Sequence, residues 1–518
     1  MVDEKITKRN PKAFIYRSTV RAKKGHARRL DVKTKKHHLP VVSKEQELPP
    51  PMVVAIVGPP KSGKSTVLSS LIKHYTKSPV SQITGPITVV AGKRRRLTFI
   101  ECPNDINSMV DLSKVVDLAL LIISAKDGLQ MEIFEFLSMI QVTGFPKVMG
   151  VLTFLDQFKE NKTLKVYKKK IKDRFWSDVY PGAKVFYLTG FKYSSYGKRE
   201  VINLARFISL AKTPQLSWRM GHPYLICDRI EDITDPEEIR RSENNCDRKV
   251  ALYGYVQGTH LKSSAKIHIM GVGDYSMNKI NFLPDPCPFP DHSKNRRLDF
   301  KEKLVYAPFS SINNILFDKD AVYIDVGQSQ MFQLDDNEFK HLPVEQRVLY
   351  EGYRPGMYVR IEIGAIENEF ITNFDAKYPL IIGGLIAGED QLGYLNFRIK
   401  KHKWYQRILK NNDPVIVSLG WRRFQTIASY SMEDHNKRKR YVKYTPAHIH
   451  CYATCFGPLT LPGVGMFTLQ VPPYIRKREF HLTATGVTIE VDQSLSIVKK
   501  LKLIGTPYKI FKNTAFIK

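Results

Sequence analysis

The sequence predicts a multidomain fold of class α/β plus β, with a mostly parallel sheet followed by β-barrel-like domains. Three observations predict it. From residue 52 to about residue 210, short apolar runs alternate with helical patterns, as strands joined by crossover helices do. After Pro223 the texture changes to short β-branched and aromatic runs separated by Gly, Pro and Asp, which suits barrels or sandwiches. The 518 residues are 43% hydrophobic, enough for sizeable cores in three or four domains.

Taken in order, residues 1–50 read as a basic extended arm. They hold 14 Lys and Arg against 5 Asp and Glu, with Lys23, Lys24, Arg28 and Arg29 near the middle, and end in Pro49, Pro50 and Pro51. With no apolar face, such an arm is expected to order only on a partner and to thread along RNA. Residues 51–217 form the α/β domain. Its first strand is the apolar run 52–57; Val67, Leu68, Leu71, Ile72 and Tyr75 then repeat at helical spacing. Further strands are expected at 97–100, 118–123, 148–152 and 184–188, and a helix over 165–176. A β-barrel domain over 218–340 contains the runs 249–256, 266–270 and 321–326, and a polar stretch at 335–341 marks its end. Residues 341–518 are β-rich again, with strands at 357–363, 415–419 and 485–491, and are expected to form two subdomains.

The formal charge is +31, from 81 Lys and Arg against 50 Asp and Glu. Such an excess repels itself unless a polyanion neutralises it; nucleic acid fits first and an anionic membrane surface second. Six thinly spread cysteines do not form a disulfide scaffold and suit a reducing compartment. The basic N-terminus lacks an apolar h-region, and the longest apolar run is interrupted by Asp117, so neither a secretory signal nor a membrane span is expected.

Gly58-Pro59-Pro60-Lys61-Ser62-Gly63-Lys64-Ser65, with Thr66 next, matches the phosphate-binding pattern G-x-x-x-x-G-K-[ST] between a strand and a helix. Backbone N–H groups of such a loop curl around phosphates, and the helix N-terminus adds positive potential. Lys64 is expected to reach the β and γ phosphates, and Ser65 to ligate Mg2+. The fold class thus becomes a P-loop GTPase domain followed by β-barrel-like domains. Thr153-Phe154-Leu155-Asp156 stands where GTPases carry Asn-Lys-x-Asp. Asp156 can accept hydrogen bonds from guanine N1 and the 2-amino group; otherwise it is a loop or helix cap. Ser124-Ala125-Lys126 spells the base-supporting loop but precedes Asp156, so it reads as a strand end. Thr189-Gly190 is in the right order for that loop.

Two further motifs resemble those of translation-factor GTPases. Gly85-Pro86-Ile87-Thr88-Val89 resembles switch I, which would place Thr88 on Mg2+ and the γ-phosphate. Glu101-Cys102-Pro103-Asn104 resembles Asp-Cys-Pro-Gly, which would place Glu101 on Mg2+ through water and the Asn104 N–H on the γ-phosphate. Asp105 follows, where hydrolytic GTPases orient water, and is expected to repel the γ-phosphate and slow hydrolysis. The stretches 37–40, 58–65, 94–105, 145–156, 175–187, 352–361, 400–405 and 420–426 together resemble the Bms-type ribosome-biogenesis GTPases. That resemblance implies a nucleolar GTPase of the small-subunit processome, with GTP and Mg2+ as cofactors. It also implies pre-ribosomal RNA, small nucleolar RNA and processome proteins as partners. Relatives carry a long acidic insertion near residues 326–338 and a basic C-terminal extension, and these 518 residues hold neither, as in a reduced relative or in a sequence from which segments are omitted. The family's cyclase-like partner docks on that insertion, so these residues do not by themselves imply that partnership. A GTP-stabilised structural wedge and a translation factor on mature ribosomes are the alternative readings.

Three basic clusters carry aromatics: Lys401 with Trp404, Arg422 with Arg423 beside Trp421, and Arg438 with Arg440 beside Tyr441. Basic side chains neutralise phosphates and aromatics stack on bases, so all three are candidate RNA contacts; the alternative is solvated loops with core aromatics. His448, His450, Cys451 and Cys455 lack finger spacing and fall on opposite strand faces, so no zinc site is expected.

Overall fold

Met52–Val57 is apolar at all six positions, so neither face of it can meet water, and it forms the buried central strand β1. The computed structural model of the protein describes residues 49–77, 83–92, 95–158, 160–192, 195–212, 216–242, 246–289, 305–310, 352–405, 407–433, 439–446, 449–469, 481–492, 507–511 and 514–517. The arm and the run 321–326 lie outside them. After β1 come α1 (Lys64–Thr76), β2 (Ile87–Gly92), β3 (Arg95–Glu101), α2 (Ile106–Val115), β4 (Leu118–Ser124), α3 (Met131–Val142), β5 (Lys147–Thr153), α4 (Asn161–Asp178) and β6 (Lys184–Tyr187). A small hairpin, β7 (Phe191–Lys192) and β8 (Ser195–Tyr196), then leads into α5 (Lys198–Ser209) and the short α6 (Ser217–Gly221). β1 pairs in parallel with β3 and β4, β4 with β5 and β5 with β6, while β2 runs antiparallel to β3. Helices cover both faces. Val67, Leu71, Leu204 and Ile208 of α1 and α5 share one core, and Leu112, Phe136, Ile171 and Phe175 of α2, α3 and α4 share the other.

A closed six-stranded barrel follows. It contains β9 (Tyr224–Asp232), β10 (Arg248–Gln257), β11 (Lys266–Ile269) and β12 (Gly273–Leu283), with the short α7 (Pro236–Arg241) between β9 and β10. Two departures from the expected boundary near residue 340 appear here. β13 (Val305–Tyr306) leaves the barrel region and joins the first sheet, antiparallel to β2. The barrel closes with β14 (Tyr358–Ile366) and, after α8 (Asn368–Thr372), β15 (Ile381–Gly384). Closure requires partners for every edge strand, and those partners come from beyond the polar stretch that sequence texture marks as an end.

The third body is an eight-stranded antiparallel sheet. It runs through β16 (Leu392–Lys401), β17 (Pro414–Leu419), β18 (Arg422–Ile427), β19 (Ser429–Glu433), β20 (Lys439–Tyr441), β21 (Cys451–Pro458), β22 (Gly465–Leu469) and β23 (Leu482–Asp492). A separate hairpin, β24 (Pro507–Phe511) with β25 (Thr514–Ile517), follows.

The three bodies meet at α2, which is buried at every position from Ser108 to Val115, Asp111 and Lys114 included. Trp421 packs on Trp218 with ring centroids 4.5 Å apart, and a Cβ at Gly383 of the barrel would lie 2.4 Å from its ring. Lys114 Nζ donates to the Trp421 carbonyl at 3.0 Å, and Asp111 pairs with Arg423 at 3.3 Å. Arg422 pairs with Asp274 of the barrel at 2.8 Å and donates to the Glu389 carbonyl. His222 meets Glu389 at 2.9 Å, Arg219 meets Asp117 at 2.9 Å, and Glu135 accepts the Leu482 N–H at 3.2 Å. Such buried charges persist only when paired, so these contacts specify the domain arrangement.

Lys114 supplies a pH test of this joint. Burial pushes its ammonium down to about 7, with Asp111 opposing and Arg423 adding to the effect. Below that value both the folded and unfolded chains hold the proton, and the burial penalty is fully present. Between about 7 and the ordinary 10.5 the unfolded chain binds a proton that the folded chain has released, so stability rises with pH. The melting temperature of the wild type should therefore rise relative to that of Lys114→Met between pH 7 and pH 9.5. Parallel melting curves across that window would show that Lys114 carries no such penalty.

Candidate nucleotide site

The site begins where β1 runs out. A Cβ at Gly58 would lie 2.8 Å from the Ile122 carbonyl of β4, so only glycine lets the chain turn here. Lys61 adopts a left-handed φ of 59°, and α1 starts after Gly63. The first turn of α1 has neither an acidic residue nor a side-chain cap among the described residues, leaving its N–H groups and its positive end for an anion. Residues 61–66, Glu101, Cys102, Pro103, Asn104 and Phe154 line a cleft of about 420 Å³. Gly58, Pro59 and Pro60 form the entry to the loop, and Lys61, Ser62, Gly63, Lys64, Ser65 and Thr66 wrap the cleft itself.

Lys64 is buried and its ammonium is fully engaged. Nζ donates to the Gly58 carbonyl at 3.1 Å, the Cys102 carbonyl at 2.9 Å and Asn104 Oδ1 at 2.5 Å. Burial pushes its pKa down, and the nearby Glu101 charge opposes the shift. Ser65 Oγ donates to Glu101 Oε1 at 2.8 Å. A hydroxyl and a carboxylate at this spacing on the cleft wall are hard oxygen donors that suit Mg2+.

Thr88 does not reach this cleft. It lies within β2, buried, opposite Thr98 in the register, with the two hydroxyls 3.0 Å apart. The alternative satisfied by the chain is strand pairing: β2 is held between β3 and β13, and Thr88 serves the ladder instead of a metal. Just before β2, Thr84 Oγ1 donates to the Phe309 carbonyl at 2.6 Å, and its N–H donates to Ser310 Oγ at 3.0 Å. Asp105 is also placed differently from expectation. Its side chain caps α2 by accepting the Asn107 N–H at 3.2 Å, so it faces the helix end and not a phosphate.

Asp156 stands exposed in the 3-10 turn Leu155–Gln157 that follows β5. Its charge raises the pKa of Tyr196, behind the larger effect of burial, which places the two near each other. Thr189 is exposed, and both its N–H, at 2.9 Å, and its hydroxyl donate to the Glu200 carboxylate. Beside it, Gly190 borders open space. Sequence reading missed two supports. Thr153 Oγ1 donates to the Ser62 carbonyl at 2.9 Å, so a residue that departs from the GTPase pattern still ties this loop to the phosphate loop. Phe154, at φ 57°, and Tyr196 flank Gly63, forming a wall. The replacement of Asn-Lys by Thr-Phe was the signal available for both.

The RNA candidates divide. Lys23, Lys24, Arg28, Arg29 and Arg438 lie outside the described residues. Arg440 is exposed on β20, and Lys401, at the end of β16, donates to the Arg407 carbonyl at 3.0 Å. Trp404 is not a free stacking surface. It is half-buried, stacked on His402 at 4.2 Å, and donates to the Leu482 carbonyl at 3.3 Å. Arg422 and Arg423 are not RNA contacts either: the first is held by Asp274, and the second by Asp111 and by Asn107 Oδ1 at 2.7 Å. The partners that bury them lie some 150 to 310 residues away in the chain, where local sequence reading cannot find them. Cys451 and Cys455 are buried, and no group of three metal-binding side chains occurs among the described residues.

Comparison with known proteins places this geometry in a family. Residues 291–518 match the family described as 40S ribosome biogenesis protein Tsr1 and BMS1 C-terminal, and residues 212–286 match the AARP2CN (NUC121) domain. The ribosome biogenesis protein bms1 of Schizosaccharomyces pombe is 30% identical, over 98% of this chain and 76% of that protein. The ribosome biogenesis protein BMS1 homolog of Homo sapiens is 28% identical, over 100% of this chain and 79% of that protein. Among solved structures, translation elongation factor SelB from Methanococcus maripaludis, in its apo form, covers 86% of this chain and 80% of its own at a TM-score of 0.52 and 12% identity. The same factor in complex with the GTP analogue GPPNHP gives a TM-score of 0.51 at 13% identity. The chain thus shares the fold of SelB, and the sequence match along nearly its whole length makes it a member of the BMS1 family of ribosome biogenesis proteins.

Proposed function

We propose that this ribosome biogenesis factor binds GTP and acts in the nucleolar small-subunit processome during early 40S assembly. Slow hydrolysis then drives a conformational step in pre-ribosome maturation. Pre-ribosomal RNA, small nucleolar RNA and processome proteins are its proposed partners. The observation that carries the reading is the grip of Lys64 on Asn104. Phosphate oxygens entering the cleft are charged acceptors and outcompete a neutral amide for the ammonium. Asn104 is then released, and with it the loop that leads into α2, whose Asn107, Asp111 and Lys114 hold the C-terminal sheet. Nucleotide state and domain arrangement are coupled through that one helix. The GTP analogue held by the SelB relative supports a guanine nucleotide here.

The N–H groups of the phosphate loop and Lys64 bind the phosphates, and Asp156 reads the guanine edge beside the Phe154 wall. Thr189 and Gly190 border the base. Ser65 and Glu101 would hold Mg2+, Glu101 through water, and the ion would neutralise charge building on the phosphates. Asp105, at the position of the water-orienting residue, is used as a helix cap, which supports slow chemistry. The same observation favours a second reading, a GTP-stabilised wedge with negligible turnover. Single-turnover hydrolysis with and without purified pre-ribosomes separates the two. Acceleration by precursor particles is expected; no cleavage in either condition leaves the wedge, and acceleration by mature ribosomes alone would make the chain a translation factor.

Two substitutions test the site. Lys64→Ala should weaken triphosphate binding by at least about tenfold, the worth of one charge-assisted hydrogen bond. Unchanged GTP affinity in a folded variant, measured by calorimetry, would remove Lys64 from the phosphates. Asp156→Asn should shift preference from guanine toward xanthine nucleotides, because an amide donates to the oxo group that replaces the 2-amino group. If the wild type binds GTP and ATP equally in competition, Asp156 is only a turn residue.

A further inference from the structure

Helix α4 carries charge that neither the nucleotide cleft nor the domain joint uses. Its 18 residues include six lysines and Arg174, against Asp173 and Asp178, and Arg174 pairs with Asp178 at 3.6 Å. Only Ile171 and Phe175 are buried, and Phe175 packs against β5 at Gly150. Lys162, Lys165, Lys169 and Lys172 recur at helical spacing on one flank, a stripe of about 15 Å at the helical rise. Lys162, Lys165 and Lys169 are exposed. No carboxylate pairs with any of the six lysines among the described residues. Lys168 and Lys172 sit over the rings of Tyr187, at 5.0 Å, and Trp176, at 4.4 Å.

This arrangement costs the helix stability. Lys165 faces Lys168 and Lys169, and Lys168 faces Lys172, at spacings where like charges repel. With two buried anchors in five turns, the helix gains little from packing, and an external polyanion is what relieves the repulsion. The flank presents ammonium groups in a row, and its one aromatic, Trp176, is half-buried beneath Lys172 and donates to the Ala183 carbonyl at 2.8 Å. It therefore suits a phosphate backbone better than unstacked bases, which need open rings.

We infer that the Lys162–Lys172 flank of α4 binds the phosphate backbone of double-stranded RNA, without reading its sequence. The inference rests on the proposed action on pre-ribosomal RNA and assigns part of that binding to the G domain itself. The test uses the full chain, as wild type and with Lys162→Gln, Lys165→Gln, Lys169→Gln and Lys172→Gln combined. Its affinity for a fluorescent RNA hairpin is measured across a salt series. Each lost phosphate contact flattens the slope of log affinity against log salt by about 0.7 to 0.9, so a loss of roughly three is expected from four lysines. GTP-analogue binding should be unchanged, the melting temperature should hold or rise slightly because like-charge repulsion on the helix is removed, and the matching fourfold Lys→Arg variant should keep the wild-type slope. If the wild type binds the hairpin and the Gln variant has the same slope, the inference is wrong while the RNA reading stands. If the Gln variant loses only binding to polyglutamate, the flank meets an acidic protein and the inference is likewise overturned. A wild type that binds no RNA at all would remove the proposed RNA function itself.

Discussion

Helix α2 begins five residues after Glu101 of the nucleotide cleft and is buried at every position from Ser108 onward. A helix so enclosed cannot leave Asp111 and Lys114 unpaired, because an isolated charge in a dry interior costs several kcal/mol. Arg423 and the Trp421 carbonyl meet those two groups, and both belong to the C-terminal sheet. Asn107, one turn from the cleft, meets the other nitrogen of the same Arg423. Satisfying the polar groups of one ten-residue helix thus fixes how the G domain sits against the C-terminal sheet. The barrel is drawn in through Arg422, which pairs with Asp274. The apolar core on the same face continues across the domains, with Tyr224, Ile381, Trp421 and Phe467 all packed into it.

Around the phosphate loop, the physical requirements of a nucleotide site are met by residues that differ from the usual GTPase pattern. What an Asn would do by bonding to the phosphate loop, Thr153 does with one hydroxyl to the Ser62 carbonyl. Where a Lys stem would lie along the base, Phe154 offers an aromatic face in a left-handed conformation. The loop before β2 is held from outside the G domain, because Thr84 is bonded to Phe309 and Ser310 beyond β13. Hydrogen bonds from a distant segment thus restrain the loop before β2.

Basic residues serve two purposes in this chain, and tertiary pairing separates them. Arg96, Arg219, Arg422 and Arg423 are buried or nearly so, each against a carboxylate, and act as struts between domains. The guanidinium suits this because its planar fork can bond two partners at once. The lysines of α4 have no such partners among the described residues, and aromatics beneath Lys168 and Lys172 hold those two charges at the surface. Polyanion binding is expected from the second group and not the first.

The alternation of apolar runs with helical spacing determined the α/β domain, since β1, β4 and β5 are so apolar that only a doubly covered parallel sheet can bury them. The phosphate loop was equally legible, because strand, glycines, lysine and helix are contiguous and their chemistry is local. The strand order singled out Asp156, and the fold puts it in the turn that follows β5. Elsewhere the fold decided, at some positions through a near neighbour and at others through a partner far along the chain. Thr88 spells a switch motif but pairs with Thr98 in a ladder, and Asp105 caps a helix whose start the sequence did not mark. Trp404, Arg422 and Arg423 look like an RNA surface until Leu482, Asp274 and Asp111 bury them. The barrel's limits shifted for the same reason, since β14 and β15 close it from beyond the polar stretch near residue 340. Sequence determined what each segment is chemically able to do; folding decided which of those abilities remain open to solvent, because long-range pairing consumes the polar groups and aromatic faces that short-range patterns leave free.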